Sequence, residues 1–267
     1  MFSIFLFFSL LTSPLSPLCS PCDISALSSH PNVVKLLGYT ENPYCLITPL
    51  YQGDLHTLIS LRQKHQYTSL DAADILYHMV SGVQAVHAIG VAHRDIKPKN
   101  FLLEPRPDHQ PSSTPGEWSS FPYRVRICDF GVCYVDPNKS KTLLRLLNIF
   151  GVSIRYAPPE VFTTFAFNIS AVSLQDFQLA DMYSLGISLW ELLHRVEPWK
   201  GRSAEEIQNV VVKDERPPLS LDPARDPKLV YFLKVVATCW QQDPSARSSL
   251  MEILGHFSAL YLQTPLK

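Results

Sequence analysis

The sequence has no lysine in its first 34 residues, no GxGxxG glycine arrangement, no excess of either charge and no hydrophobic run long enough to cross a bilayer. Each absence excludes something. Twenty-three Lys and Arg against 24 Asp and Glu leave a formal charge of −1, with an isoelectric point near 6.7. That argues against a general binder of nucleic acid or of anionic membrane, because such proteins carry a basic excess. The apolar stretch Met1 to Leu11, MFSIFLFFSLL, falls well short of the ~20 residues a spanning helix needs, so stable membrane insertion is not expected. It is similar to the apolar part of a secretion signal and small residues follow it, yet no positive charge precedes it. Two readings therefore stand for residues 1–22: a signal-like leader, or a stretch that is not native coding sequence. Cys19 and Cys22 form a CxxC pair, but no second pair or nearby histidine completes a zinc site. The other four cysteines sit in apolar stretches, and the expectation is reduced thiols in a cytoplasmic protein. A secretory or membrane-associated location is the alternative if the leader is a signal.

Hydrophobic residues make up 46% of the 267, enough for a substantial core in one good-sized domain or two small ones. Two β-rich runs, Asn32 to Tyr39 and Tyr44 to Tyr51, flank a turn-like Thr40 to Pro43 and read as neighbouring strands. Asp54 to Leu61 reads as a short helix. Ser69 to Ile89 has apolar residues at helical spacing, an acidic Asp71 near its start and Gly90 at its end, which predicts a long buried helix. Phe101 to Leu103 and Val125 to Phe130 read as short strands on either side of a Pro- and Ser-rich insertion, residues 105–122. That insertion cannot bury a core and reads as a surface loop beside the active site. Further helices are expected at Leu179 to His194, Ala204 to Lys213, Lys228 to Gln241 and Ser248 to Tyr261.

Two polar clusters carry chemistry: His93-Arg94-Asp95-Ile96-Lys97-Pro98-Lys99-Asn100, and Asp129-Phe130-Gly131. Phosphoryl transfer needs metal ions to neutralise the moving group and a carboxylate to orient the attacking hydroxyl. Asp95 and Asn100 share one loop after the long helix, and Asp129 follows the next strand. Such loops can aim Asp95 at a substrate and hold metal between Asn100 and Asp129. Either motif alone is weak, since tripeptides recur by chance; both together, in this order, are specific.

On these residues the sequence resembles the eukaryotic protein kinases, from about His30 to His256. Pro158-Pro159-Glu160 looks like the family's Ala-Pro-Glu, with Pro158 in place of Ala. The resemblance implies that Arg247 pairs with Glu160 and that Asp181, at the start of the central helix, braces the His93–Arg94 turn. Lys97, two after Asp95, is the Ser/Thr-type choice, and Ser153 takes the family's Thr position. Cys239-Trp240, Asp243-Pro244, Arg216-Pro217 and Arg247 look tyrosine-kinase-like. The mixture is similar to the tyrosine-kinase-like group of Ser/Thr kinases. The resemblance further implies ATP and Mg2+ as cofactors. Asp95, Lys97 and Arg94 would be the catalytic residues, and Asn100 and Asp129 the metal ligands. Thr48, Leu50, Tyr51, Asp54 and Leu102 would line the nucleotide site, where Thr48 and Leu102 also read as ordinary core. His93, Phe130, Gly131, Ser153, Glu160, Asp181 and Arg247 would support the structure. Arg94 would receive a phosphate on the following loop, with Ser140 and Thr142 as acceptors, or as plain solvated residues.

The departures from the family lie near the N-terminus. The family's glycine-rich loop, its lysine and the partner glutamate are missing. The first lysine, Lys35, follows His30-Pro31-Asn32 and is misplaced for that role, and prolines at 14, 17 and 21 forbid a continuous helix upstream. The expected fold is α+β, a two-lobe protein kinase. Residues 23–52 are a fragmentary β-rich N-lobe of roughly two strands, and 53–262 a complete, mainly helical C-lobe. The expected function is transfer of the ATP γ-phosphate to Ser/Thr hydroxyls of protein substrates, with regulatory protein partners as a further expectation, from a chain read as N-terminally truncated. The alternative is a catalytically impaired pseudokinase or truncated isoform acting as a protein-binding module.

Overall fold

The computed structural model describes residues 2–5, 29–41, 44–61, 68–106, 121–135, 152–220 and 227–262. Most of the leader, Cys19, Cys22, Ser140, Thr142 and the body of the insertion lie outside them.

A small antiparallel sheet has the order β1–β3–β2, with β1 at Phe2–Phe5, β2 at Gly38–Glu41 and β3 at Tyr44–Pro49. The expected pairing of two neighbouring strands is present in β2 and β3. A third strand comes from the apolar leader, where Phe2 pairs with Pro49 and Phe5 with Leu46. The sheet is therefore one strand larger than the sequence reading allowed. The expected strand over Asn32 to Tyr39 begins only at Gly38. Upstream of it the run is recruited elsewhere: Val33 bridges Ile127, Val34 N donates to Ile127 O at 2.9 Å and Asn32 Nδ2 donates to Val125 O at 3.0 Å. A β-branched apolar run has here been buried against the large lobe rather than the small sheet.

The large lobe is built from α1 (Leu55–Leu61), α2 (Ser69–Ala88), α3 (Leu174–His194), α4 (Ala204–Val212), α5 (Pro227–Cys239) and α6 (Leu250–Leu262). Reciprocal caps start four of them: Thr68 with Asp71, Ser173 with Asp176, Ser203 with Glu206 and Ser249 with Glu252. Each satisfies two backbone N–H groups that the helix leaves open. The Ser173 cap sets the start of α3 five residues before the expected Leu179. Buried side chains cover α3 on all sides from Ala180 to Leu193, so it is the axle of the core. At Gly186 an added Cβ would sit 2.8 Å from Cys239 Cβ, so only glycine permits α5 to approach this closely. The short strands β4 (Val91–Ala92) and β7 (Tyr134–Val135) pair, as do β5 (Phe101–Pro105) and β6 (Tyr123–Ile127). β6 ends before Cys128, so Phe130 is not in a strand as expected.

The β5–β6 hairpin also relocates the insertion. Asn100 and Cys128 mark its catalytic end, joined by a 2.9 Å backbone bond from Cys128 N to Asn100 O. The insertion leaves from the opposite end, where Arg106 N donates to Pro122 O and Arg106 Nη2 to Phe121 O. Five strand residues place that end about 17 Å from the catalytic loop, so the insertion does not emerge beside the active site. Among the described residues no helix is long and apolar enough to cross a membrane, and Cys45, Cys128, Cys133 and Cys239 are unbridged thiols.

Candidate active site

The loop between β4 and β5 carries His93 to Asn100, and the turn after β6 carries Asp129 to Gly131. Arg94 and Asp129 both adopt left-handed backbone, φ 68° and 67°. Such a conformation costs a non-glycine residue on the order of 1–2 kcal/mol unless its surroundings enforce it. Asp181, buried inside α3, supplies the enforcement at Arg94. Its Oδ2 accepts from His93 N at 2.7 Å and its Oδ1 from Arg94 N at 2.7 Å. His87, in the last turn of α2, adds a third contact, Nε2 to Asp181 Oδ2 at 2.8 Å. Sequence reasoning missed His87, because no spacing relates positions 94 apart.

His93 ties the two loops together. Its Nδ1 accepts from Asp95 N at 3.3 Å, which leaves Nε2 to donate to Cys128 O at 2.9 Å, and its ring tilts against Phe130 at 5.2 Å. Asp95 is only 8% exposed. Its Oδ2 accepts from Lys97 Nζ at 2.6 Å and from Asn100 Nδ2 at 3.0 Å. Lys97 Nζ also donates to Ser153 Oγ at 2.8 Å, so Ser153 reaches Asp95 through one ammonium. Asp95 Oδ1 is buried and has no partner among the described residues.

Asn100 commits its amide nitrogen to Asp95, including the main-chain oxygen at 2.8 Å, which leaves its amide oxygen to bind something else. Asp129 offers a carboxylate whose Oδ1 takes only a long 3.4 Å bond from Gly131 N. Among the described residues no three His, Cys, Asp or Glu side chains gather as a self-sufficient metal cage. Two oxygen donors suit a hard cation such as magnesium, which typically takes one or two protein oxygens and completes its shell with water and substrate phosphates.

The remaining sequence candidates divide into two groups. Thr48 is buried on β3, Leu50 is 48% exposed and Tyr51 is buried, its hydroxyl accepting from Lys35 N at 3.1 Å. Burial holds the Tyr51 phenol above its ordinary pKa. Gln52 N donates to Leu103 O, Leu103 N donates to Gly53 O, and Asp54 bridges Leu102. The segment after β3 is thereby laid along β5, which brings Gln52 to Asp54 beside Leu102 and Leu103. Asp54 already caps α1, accepting from Thr57 N at 2.8 Å and Thr57 Oγ1 at 2.9 Å.

The second group is Arg94, Glu160 and Arg247. Arg94 stacks its guanidinium 5.0 Å from the Phe177 ring centre and donates to Val132 O at 3.1 Å; burial lowers its pKa. Glu160 and Arg247 make a two-pronged pair at 2.6 and 2.9 Å. Arg247 also donates to Leu179 O and Gln241 O.

Comparison with known proteins gives the family. A serine/threonine-protein kinase/receptor of Acanthamoeba polyphaga mimivirus is 27% identical over 86% of this chain and 13% of its own length. The mitogen-activated protein kinase kinase kinase mom-4 of Caenorhabditis briggsae is 31% identical over 90% of this chain and 38% of its own. The serine/threonine/tyrosine-protein kinase HT1 of Arabidopsis thaliana is 27% identical over 85% and 50%. The chain thus spans half or less of the length of each of these relatives. Residues 18–257 match the protein kinase domain, and the chain belongs to that family.

Proposed function

We propose that the chain transfers the γ-phosphoryl group of ATP, with magnesium, to serine and threonine hydroxyls of protein substrates. The observation that carries this reading is the divided Asp95 carboxylate. One oxygen is held by Lys97 and Asn100; the other is buried and without a partner among the described residues. An unsatisfied buried acceptor costs about 1–3 kcal/mol, and a substrate hydroxyl is the donor that would satisfy it. Asp95 orients that hydroxyl and takes its proton as the substrate oxygen bonds to the γ-phosphorus and the bond to ADP breaks. Lys97 holds positive charge beside the transferring group and, through Ser153, ties Asp95 to the peptide side. Asn100 and Asp129 are the residues that would hold magnesium, which when bound neutralises phosphate charge. Thr48, Leu50, Tyr51, Asp54 and Leu102 line the place for the adenosine. Arg94 receives a phosphate from the segment after Val135.

Lys97 and the Ser/Thr kinase names of the relatives support serine or threonine as acceptor, in a tyrosine-kinase-like Ser/Thr kinase. Unbridged cysteines support a reducing, cytoplasmic location. A second reading, a protein-binding module with little or no transfer, is favoured by one observation. The first lysine, Lys35, is exposed and precedes β2, and no GxGxxG occurs in the chain.

Thermal melts with ATP and magnesium, beside Asp129→Asn, test the first reading together with a phosphotransfer assay on Asp95→Asn. Ligand at 100 times its Kd should add about 2.7 kcal/mol of stability, and that gain should vanish in Asp129→Asn. Asp95→Asn should lose about 10²–10⁴-fold in transfer rate. No magnesium-dependent shift and no transfer would instead favour the binding module.

A further inference from the structure

The apolar leader carries a strand that the mechanism above does not use. β1, at Phe2–Phe5, lies along one side of β3 and β2 along the other. Four consecutive residues pair in antiparallel register: Phe2 with Pro49, Ser3 with Thr48, Ile4 with Ile47 and Phe5 with Leu46. The pairing reaches the end of β3, next to Leu50, where the proposed nucleotide residues continue. Thr48, opposite Ser3, is 7% exposed, and Cys45, one residue before the paired stretch, is 5% exposed.

The sequence of β3 points independently to neighbours on both sides. Tyr44–Pro49 reads YCLITP, with no charged residue and its one proline in last place. Strands left at the edge of a sheet are blunted by charge, by internal proline or by shortness, because their unpaired N–H and C=O groups invite foreign strands. β2, at the far edge, has four residues and ends on Glu41. β1 is equally short. β3 has the composition of a central strand, and without β1 it would become the open edge of a two-stranded sheet. Two strands alone are at best marginally stable in water.

We propose that residues 2–5 are a donor strand that completes the nucleotide side of the site, so that the leader stays on the working chain and its displacement loosens the grip on ATP. The nucleotide consequence rests on the kinase reading; the docking of the strand does not. Beyond β3, Gln52 N donates to Leu103 O at 3.0 Å. One end of the nucleotide segment is thus fixed on the large lobe, and the other end depends on the sheet. Processing that removed the leader as a secretion signal would take β1 with it and turn the backbone groups of β3 that face it to water. Thr48 and Leu50 would then be ordered for part of the time, and apparent affinity for nucleotide falls by that fraction.

A pair of proline substitutions tests the register. On an edge strand alternate N–H groups face the neighbouring strand and the rest face away. Ser3→Pro and Ile4→Pro therefore differ. One removes a donor from the ladder; the other removes an N–H that points outward, where proline is tolerated.

The experiment compares the full chain, Ser3→Pro, Ile4→Pro and a form lacking residues 1–22. Hydrogen exchange follows the amides of Leu46, Ile47 and Thr48. Iodoacetamide labelling, read by mass spectrometry, follows Cys45, and melting with and without ATP and magnesium follows nucleotide. One proline variant should speed exchange at the amides that β1 covers about two- to tenfold, matching one net hydrogen bond, and the other far less. The shortened form should exchange and label at least about tenfold faster, with a smaller ATP-induced rise in melting temperature. Equal exchange and labelling in all four proteins would overturn the donor strand. Equal acceleration by both prolines would overturn it too, since an apolar contact without register predicts that result. If the shortened form loses its cooperative melt, the proline pair decides. If the full chain shows no ATP-dependent rise, the kinase reading fails, and exchange and labelling alone decide the strand. A shortened form that exchanges faster yet keeps the full ATP-induced rise would overturn the link to nucleotide.

Discussion

In the large lobe, one carboxylate on a buried helix, Asp181, holds two backbone N–H groups and a histidine at 2.7 to 2.8 Å. In the small sheet, three short strands are joined to the rest of the described protein by Asn32 to Val34 and by Tyr51 to Asp54. Leu37, Tyr39 and Leu50 stay exposed there, whereas the α3 side chains from Ala180 to Leu193 are buried. The side proposed to take the acceptor is thus set by interlocked buried bonds, which would cost nothing further to organise on binding. The side proposed to take the nucleotide rests on a sheet near the lower limit of what is independently stable. Under the proposed function the acceptor and donor halves of one reaction are supported to very different degrees, and perturbing each half separately shows how far they are independent.

The sharpest break is expected at Arg247, whose side chain is fully buried against Glu160. Arg247→Met strands the Glu160 carboxylate and should cost about 3–5 kcal/mol in denaturant unfolding. Adding Glu160→Gln removes the stranded charge and should recover part of that loss. If the large lobe alone sets the acceptor side, the double variant should regain the Asp95-dependent activity together with its stability.

Asp95, Asn100 and Asp129 were legible in the sequence because each sits in a short motif whose neighbours are fixed by one tight loop. Glu160 and Arg247 were legible only through resemblance, since 87 residues separate them. The contacts of Glu191 with His56 and Tyr156 left no trace, because these are ordinary residue types spaced 135 and 35 apart. Helix starts were legible where a capping residue adjoined an apolar period, as near Ser69. The start of α3 was missed because Ser173 and Asp176 precede the stretch in which the apolar pattern is dense. Asn32 to Leu37 has the composition of a strand, but composition does not say which sheet it will join.

A second break concerns pH and again falls on the large lobe. Burial pushes His78 on α2 down to about 4; Asp74 opposes that shift, and Arg106, Arg124 and Arg126 add to it. The folded protein keeps this imidazole neutral where the unfolded chain would protonate it. Its contribution is therefore complete above about pH 6.5 and drains away as pH falls toward 4, about 3 kcal/mol in all. Melting from pH 7.5 to 4.5 should show a steeper acid limb in the wild type than in His78→Gln. Equal limbs would mean that the hairpin base near Arg106 and Phe121 yields first and lets water reach the ring.

The smallest effect is expected at Asp54, where the two halves meet. Its carboxylate caps α1 through Thr57 and its backbone bridges Leu102. Asp54→Ala removes the cap and should cost about 1 kcal/mol, while Asp54→Asn keeps a good capping residue and should cost a few tenths at most. The asparagine variant therefore separates capping from nucleotide contact. If its melting temperature holds while the ATP-induced shift shrinks, the carboxylate faces the ribose as well as the helix. If both hold, Asp54 serves the large lobe alone, and the nucleotide side is supported by even less of the chain than the comparison already indicates.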